Sequence, residues 1–184
     1  MKKIRLSHSL ISAFERNDIQ GMVDMYFHVD RVGTPAMEEG KKYHDEIAES
    51  IKNFKTLPNY MDFKAKFKDP KPEFEIVVPY NEICDLKGVI DCLDEPIFYE
   101  WKTGVSDSLE WARTGQIPLY FLLCELKGIK VDSAYLVRYN QHTDKTDFAI
   151  VHNSKKLRDK ARNIVDTVCY DIFSYFEEQG LLRP

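Results

Sequence analysis

The sequence predicts an α/β fold in which a mixed central sheet is flanked by helices. Three observations point there: helical periodicity in the first third of the chain, strand patterning between residues 73 and 102, and a long amphipathic stripe near the C-terminus. Taken in order, Ser7 or Ser9 caps a helix that runs through Leu10, Ile11 and Phe14 to about Phe27. Gly33 and Pro35 are turn signals before a second helix, on which Met37, Gly40, His44, Ile47, Ala48 and Ile51 share one face. Residues 55–72 hold Pro58, Pro70, Pro72 and many lysines, and read as an exposed connection.

The period then changes. Residues 73–79, 83–92 and 96–102 suit strands, the last two joined by the polar turn Leu93-Asp94-Glu95-Pro96. A helix follows from about Ser108 to Leu126, stopped by Gly128. Val131–Tyr139 alternates with β-branched and aromatic residues, and Asp147–Val151 makes a short partner strand. A final helix starts near Asn153 or Ser154. Its stripe of Leu157, Ala161, Ile164, Val165, Val168, Ile172 and Phe176 ends at Gly180.

A chain of 184 residues and 21.6 kDa suits a single domain spanning residues 1–184. At that length roughly 70% of the unfolded surface is buried, so neither disulfide nor structural metal is needed. The 11 Phe, 10 Tyr and 2 Trp exclude a disordered chain. No stretch reaches the ~20 apolar residues of a membrane span, and Ser7, His8, Ser9, Ser12 and Glu15 interrupt any signal-peptide core. A cytoplasmic protein with no membrane association is the expectation.

The net charge of −4 argues against a wholly basic nucleic-acid coat. Two stretches are nonetheless basic: eight lysines against five acids between Lys41 and Lys71, and five bases against Asp159 between Lys155 and Arg162. They read either as phosphate contacts or as solvated helix faces. Cys84, Cys92, Cys124 and Cys169 form no CxxC pair and read as small core residues, so zinc is not expected.

Unusual residues concentrate in Gly88-Val89-Ile90-Asp91 and in Tyr99-Glu100-Trp101-Lys102-Thr103-Gly104. Strand alternation sends Glu100 and Lys102 to one face, and Tyr99 and Trp101 to the other, where core packing suits them. A tight hairpin brings Asp91 beside Glu100. Two adjacent carboxylates repel unless a proton or a cation intervenes. Oxygen ligands of this kind favour magnesium, manganese or calcium. Taken alone, the triplet also reads as an ordinary surface Glu-x-Lys with Asp91 in a turn. Gln116 and Tyr120 lie four apart on one helix face, where Tyr120 suits a core and Gln116 needs a polar partner. His44 falls on the apolar side of its helix, where a histidine is either a satisfied boundary residue or a metal ligand.

Six motifs stand in order: Ser7-His8-Ser9-Leu10, Gly40-x3-His44, Glu75, Gly88-x2-Asp91, Glu100-Trp101-Lys102-Thr103-Gly104 and Gln116-x3-Tyr120. In this they resemble the RecB-like nucleases of the PD-(D/E)xK superfamily, which include CRISPR-associated and phage exonucleases. The resemblance runs from about residue 6 to residue 140. It implies a restriction-endonuclease-like sheet and a magnesium- or manganese-dependent DNA exonuclease acting on ends in recombination, repair or phage replication. The alternatives are an endonuclease of the same fold and a catalytically inactive DNA-binding or scaffold module. By resemblance, Asp91 and Glu100 are metal-binding carboxylates, the Trp101 carbonyl and His44 further ligands, and Lys102 the lysine that positions the attacking water. Glu75 resembles an acidic residue near the site, and Gln116 and Tyr120 match the helix motif that lines the DNA path. The cysteine spacing departs from the iron–sulfur relatives, so no cluster is expected. The expected partner is DNA, with a homo-oligomer or a separate helicase or recombination protein alongside.

Overall fold

The computed structural model describes residues 3–29, 33–103, 110 and 115–182. The chain opens with a short strand, β1 (Ile4–Leu6), and two helices, α1 (His8–Glu15) and α2 (Ile19–Phe27). A longer helix, α3 (Pro35–Phe54), precedes three strands: β2 (Lys71–Pro79), β3 (Cys84–Asp94) and β4 (Ile97–Thr103). Then come α4 (Ile117–Lys127), β5 (Ser133–Asn140), β6 (Lys145–His152) and α5 (Lys155–Glu178).

The six strands form one mixed sheet, and β3 is its hub. β2 pairs antiparallel along one whole edge of β3, from Lys71↔Leu93 to Pro79↔Asp85. The other edge is divided. β1 runs parallel to it at Cys84–Leu86, and β4 pairs antiparallel only at Cys92↔Tyr99, Leu93↔Phe98 and Asp94↔Ile97. Between those two partners residues 87–91 face no strand on that side among the described residues. β4 instead continues in parallel register with β5 as far as Thr103↔Tyr139, and β6 closes the sheet antiparallel to β5.

Helices cover both faces. On one, Leu10, Ile11 and Met22 of the first two helices, Ile117–Cys124 of α4 and Val165, Ile172 and Phe176 of α5 enclose the main core with Ile76, Leu86, Ile90, Phe98 and Leu136 of the sheet. Eight consecutive buried residues make α4 apolar all round, as a helix at the centre of a fold must be. On the other face, Ile47 and Ile51 of α3 pack with Met61, Cys92, Tyr99, Trp101, Val137 and Tyr139. Tyr99 and Trp101 are stacked with centroids 5.4 Å apart, the core role expected of them. The four thiols are buried, and burial pushes those of Cys84, Cys92 and Cys124 up to about 12.

Two expectations need correcting, and one element went unread. The helix predicted to reach Phe27 is two helices, because Asn17 turns left-handed (φ 55°) and Asp18 accepts the amide of Gly21 at 2.8 Å as a fresh N-cap. Ser7, rather than Ser9, caps the first, accepting from Leu10 N. Residues 55–72 are not simply an exposed connection: Met61 is fully buried, and Leu57, Phe63, Ala65 and Phe67 pack on the second core. The unread element is β1, which carried no strand signal of its own. Apart from the start of α4, which is at Ile117, the remaining elements lie within a few residues of their predicted positions, with Ser154 as the last N-cap and Gly128 (φ 76°) as the α4 C-cap. Ser108, the predicted start of that helix, and Gly104 lie outside the described residues. Among the described residues no helix is long and apolar enough to cross a membrane.

Candidate active site

The site lies where β3 and β4 part. One step beyond the last hairpin pair, Cys92↔Tyr99, the ladder gives way to a side chain: Asp91 Oδ2 accepts the Trp101 amide at 2.7 Å. This bond fixes Asp91 against β4 and keeps it beside Glu100. From the α3 side His44 brings Nδ1 to 3.5 Å from Asp91 Oδ1. From the α4 side Gln116 donates through Nε2 to Glu100 Oε1 at 2.6 Å and to the Tyr120 hydroxyl at 2.8 Å. Tyr120 donates its own proton to the Val89 carbonyl at 2.7 Å, on the stretch of β3 that has no strand neighbour on its β4 side. Lys102 completes the group, with Nζ 2.7 Å from Glu100 Oε1.

Two motif glycines make this closeness sterically feasible. A Cβ at Gly88 would stand 2.6 Å from Leu123 Cδ1 and 2.9 Å from the Tyr120 ring, so only glycine lets α4 approach β3 closely enough for that tyrosine to reach Val89. A Cβ at Gly40 would sit 3.0 Å from Thr103 Oγ1, one turn before His44. The glycines of Gly40-x3-His44 and Gly88-x2-Asp91 are thus contact points of α3 with β4 and of α4 with β3.

Electrostatics follow from burial. Glu100 is 2% exposed. Burial first, and the Asp91 charge second, push its carboxyl up to about 7, against the pull of Lys102. Burial alone would lower the Lys102 ammonium, but Glu100 and Asp91 outweigh it and hold its pKa above the ordinary lysine value. His44 is likewise disfavoured as a cation by burial, and its bond to Asp91 more than restores it. Tyr120 is pushed far up by burial and by Glu100, so it stays a donor.

A divalent cation fits this donor set. Glu100 Oε2 is buried with no hydrogen-bond partner, next to a second carboxylate, and a hard cation takes such oxygens. Among the described residues no three His, Cys, Asp or Glu side chains are already clustered as a metal cage. Instead Lys102 and Gln116 hold Glu100 Oε1, and His44 leans on Asp91.

Of the residues singled out in the sequence, Asp91, Glu100, Lys102, His44, Gln116 and Tyr120 are therefore linked in one chain of contacts, and the Trp101 amide belongs to it. Glu75 is not. It sits opposite Val89 on β2, exposed, with its carboxylate 2.7 Å from Lys87 Nζ. One neighbour went unassigned in the sequence. His8, at the start of α1, packs its ring against Gly115; burial, then the charges of Lys102 and Arg16, hold it down to about 4, so it is neutral beside the lysine. Its only sequence signal was membership of Ser7-His8-Ser9-Leu10.

No protein-family model and no curated protein sequence matches the chain. Solved structures do. A protein from Eubacterium rectale assigned as an exonuclease superposes with a TM-score of 0.64 at 12% identity, covering 98% of this chain and 83% of that one. A phage-related exonuclease from Haemophilus somnus 129PT matches at TM-score 0.57 and 13% identity, over 96% of both chains. The chain shares the fold of these exonuclease structures. An alkaline exonuclease from Laribacter hongkongensis shares it at TM-score 0.56 and 12% identity, covering 96% of this chain and 93% of its own, and has also been solved in complex with dAMP.

Proposed function

We propose that the chain is a divalent-metal-dependent deoxyribonuclease that removes nucleotides from DNA ends. The observation that carries this is the buried, unpartnered Glu100 Oε2 beside Asp91, with a lysine on the same carboxylate. The exonuclease names of the fold neighbours, and the dAMP bound to one of them, favour ends and DNA over other phosphodiesters. Processing of DNA ends in recombination, repair or phage replication, in the cytoplasm, is the setting that matches.

Asp91 and Glu100, with His44 and the Trp101 carbonyl, would hold magnesium or manganese. When bound, such an ion lowers the pKa of a water and offsets charge on the scissile phosphate. The protein side of the work is positional. Gln116 fixes the Glu100 carboxylate through Oε1 and leaves Oε2 free to ligate, while the Trp101 amide fixes Asp91. Lys102 remains protonated and supplies a fixed positive charge where the phosphate oxygens become more negative. Tyr120 braces Gln116 against the β3 backbone.

The test is digestion of end-labelled linear DNA and of covalently closed circles with magnesium or manganese. Linear DNA should be degraded and circles spared. Asp91→Ala and Lys102→Ala should each lose at least about 100-fold in rate, the scale on which removing one electrostatic contact acts, and chelation should stop the wild type. A Lys102→Ala protein as fast as the parent would overturn the assignment.

A further inference from the structure

The segment between α3 and β2 is a strap tied down near both ends and packed on the second core. Asp62 N donates to Thr146 Oγ1 on β6 at 3.3 Å, tying down one end. At the other, the buried Asp94 carboxylate accepts Asp69 N at 2.7 Å and Lys68 N at 3.0 Å. Between the ties, Phe63, Ala65 and Phe67 face the second core, with Phe67 5.2 Å from the Tyr99 ring. The alternating residues Lys64, Lys66 and Lys68 are all exposed. Half-buried and exposed residues alternate as in an extended chain, so successive lysines stand about 7 Å apart along a line.

Those charges are uncompensated. Among the described residues Lys64, Lys66 and Lys68 make no ion pair, in a chain whose net charge is −4. The other basic stretch differs: Lys155 pairs with Asp159, and Arg158 and Arg162 both pair with Glu125. A fixed row of unpaired ammonium groups on an acidic protein suits a polyanion whose charges are themselves in a row.

The strap also points at the site. Thr146 stands opposite Tyr139, and Tyr139 opposite Thr103, the residue after Lys102. The tied end at Asp62 is thus two strands, about 10 Å, from the end of β4. It lies on the face that α3 and His44 occupy. From there the lysines run toward the hairpin tip at Asp94.

Resting on the nuclease reading, we propose that Lys64, Lys66 and Lys68 form a rail that grips successive phosphates of one DNA strand leading to the Asp91–Glu100 site. Backbone contacts of this kind are sequence-independent and release counterions, so they carry a defined salt dependence.

The experiment measures binding of labelled oligo(dT) in EDTA by fluorescence anisotropy across a salt series. The variant K64Q/K66Q/K68Q should bind about 10- to 100-fold more weakly at 0.1 M salt. Its log–log salt slope should be shallower by about 2, since each phosphate no longer neutralised removes ~0.7 from a single-strand slope. A charge-matched variant, K155Q/K156Q/K160Q, should weaken binding by less than about three-fold, and both should melt within a few degrees of wild type. Equal weakening in the two variants, or none in the first, would overturn the rail. Wild-type cleavage that needs Asp91, with strap lysines that do not affect binding, would sink the rail alone. Binding that needs those lysines, in a protein that cuts no DNA with either metal, would sink the nuclease reading and leave the rail standing.

Discussion

Replacing Glu100 by Gln should remove a pH dependence from the metal-free protein. The Glu100 carboxyl is raised from 4.5 to about 7, chiefly by burial and then by Asp91. An acid raised on folding favours the native state when protonated. That contribution is complete below pH 4.5 and is lost as pH rises through about 7. At 1.36 kcal/mol per unit the loss amounts to about 3 kcal/mol. Glutamine keeps the size and cannot ionise. His44, also raised on folding, loses stability in the same direction; its shift comes mainly from Asp91, present in both proteins, so it cancels in the difference apart from the lesser part that the Glu100 charge supplies. Urea unfolding in EDTA from about pH 4 to about pH 8.5 should show wild type falling by about 3 kcal/mol relative to Glu100→Gln. Two curves that stay parallel within about 0.5 kcal/mol would mean that Glu100 ionises as an ordinary surface carboxylate, and the buried-pair reasoning would be wrong.

The two motif glycines should respond differently to alanine. At Gly88 the new methyl meets Leu123 and Tyr120 inside van der Waals contact, so Gly88→Ala should cost about 1–3 kcal/mol, a melting point lower by several degrees, and most of the cleavage rate. At Gly40 the contact with Thr103 is only tight, and alanine gains up to about 1 kcal/mol of helix propensity. Gly40→Ala should therefore leave the melting point nearly unchanged while slowing cleavage several-fold, because α3 carries His44. Calorimetry beside a nuclease assay separates the two outcomes.

The hairpin was legible because alternation along a strand is a strict rule. Once 83–92 and 96–102 are strands joined by a short turn, Asp91 must come near Glu100, and Lys102 must share the Glu100 face. The demand that Gln116 find a polar partner was also readable, and it meets Glu100 and Tyr120. What could not be read depends on distant partners. β1 has three residues and exists only because Ile4, Arg5 and Leu6 find Cys84, Asp85 and Leu86 far along the chain. The break at Asn17–Asp18 interrupts an apolar stripe that continues on both sides of it. The strap looked like a loop because prolines and lysines dominate its composition, whereas its apolar residues recur every second position and dock on aromatic rings from two strands. Glu75 has no local signal that separates a site carboxylate from one paired with Lys87. His8 reaches the lysine only through the packing of α1 beside Gly115.

The most direct measurement is an anomalous diffraction map from crystals of the wild-type protein soaked in manganese. A peak ligated by Asp91 and Glu100, with Oε2 of the latter among its ligands and His44 alongside, is the expected result. Manganese bound elsewhere, with the two carboxylates turned apart and Glu100 still held only by Lys102 and Gln116, would contradict it.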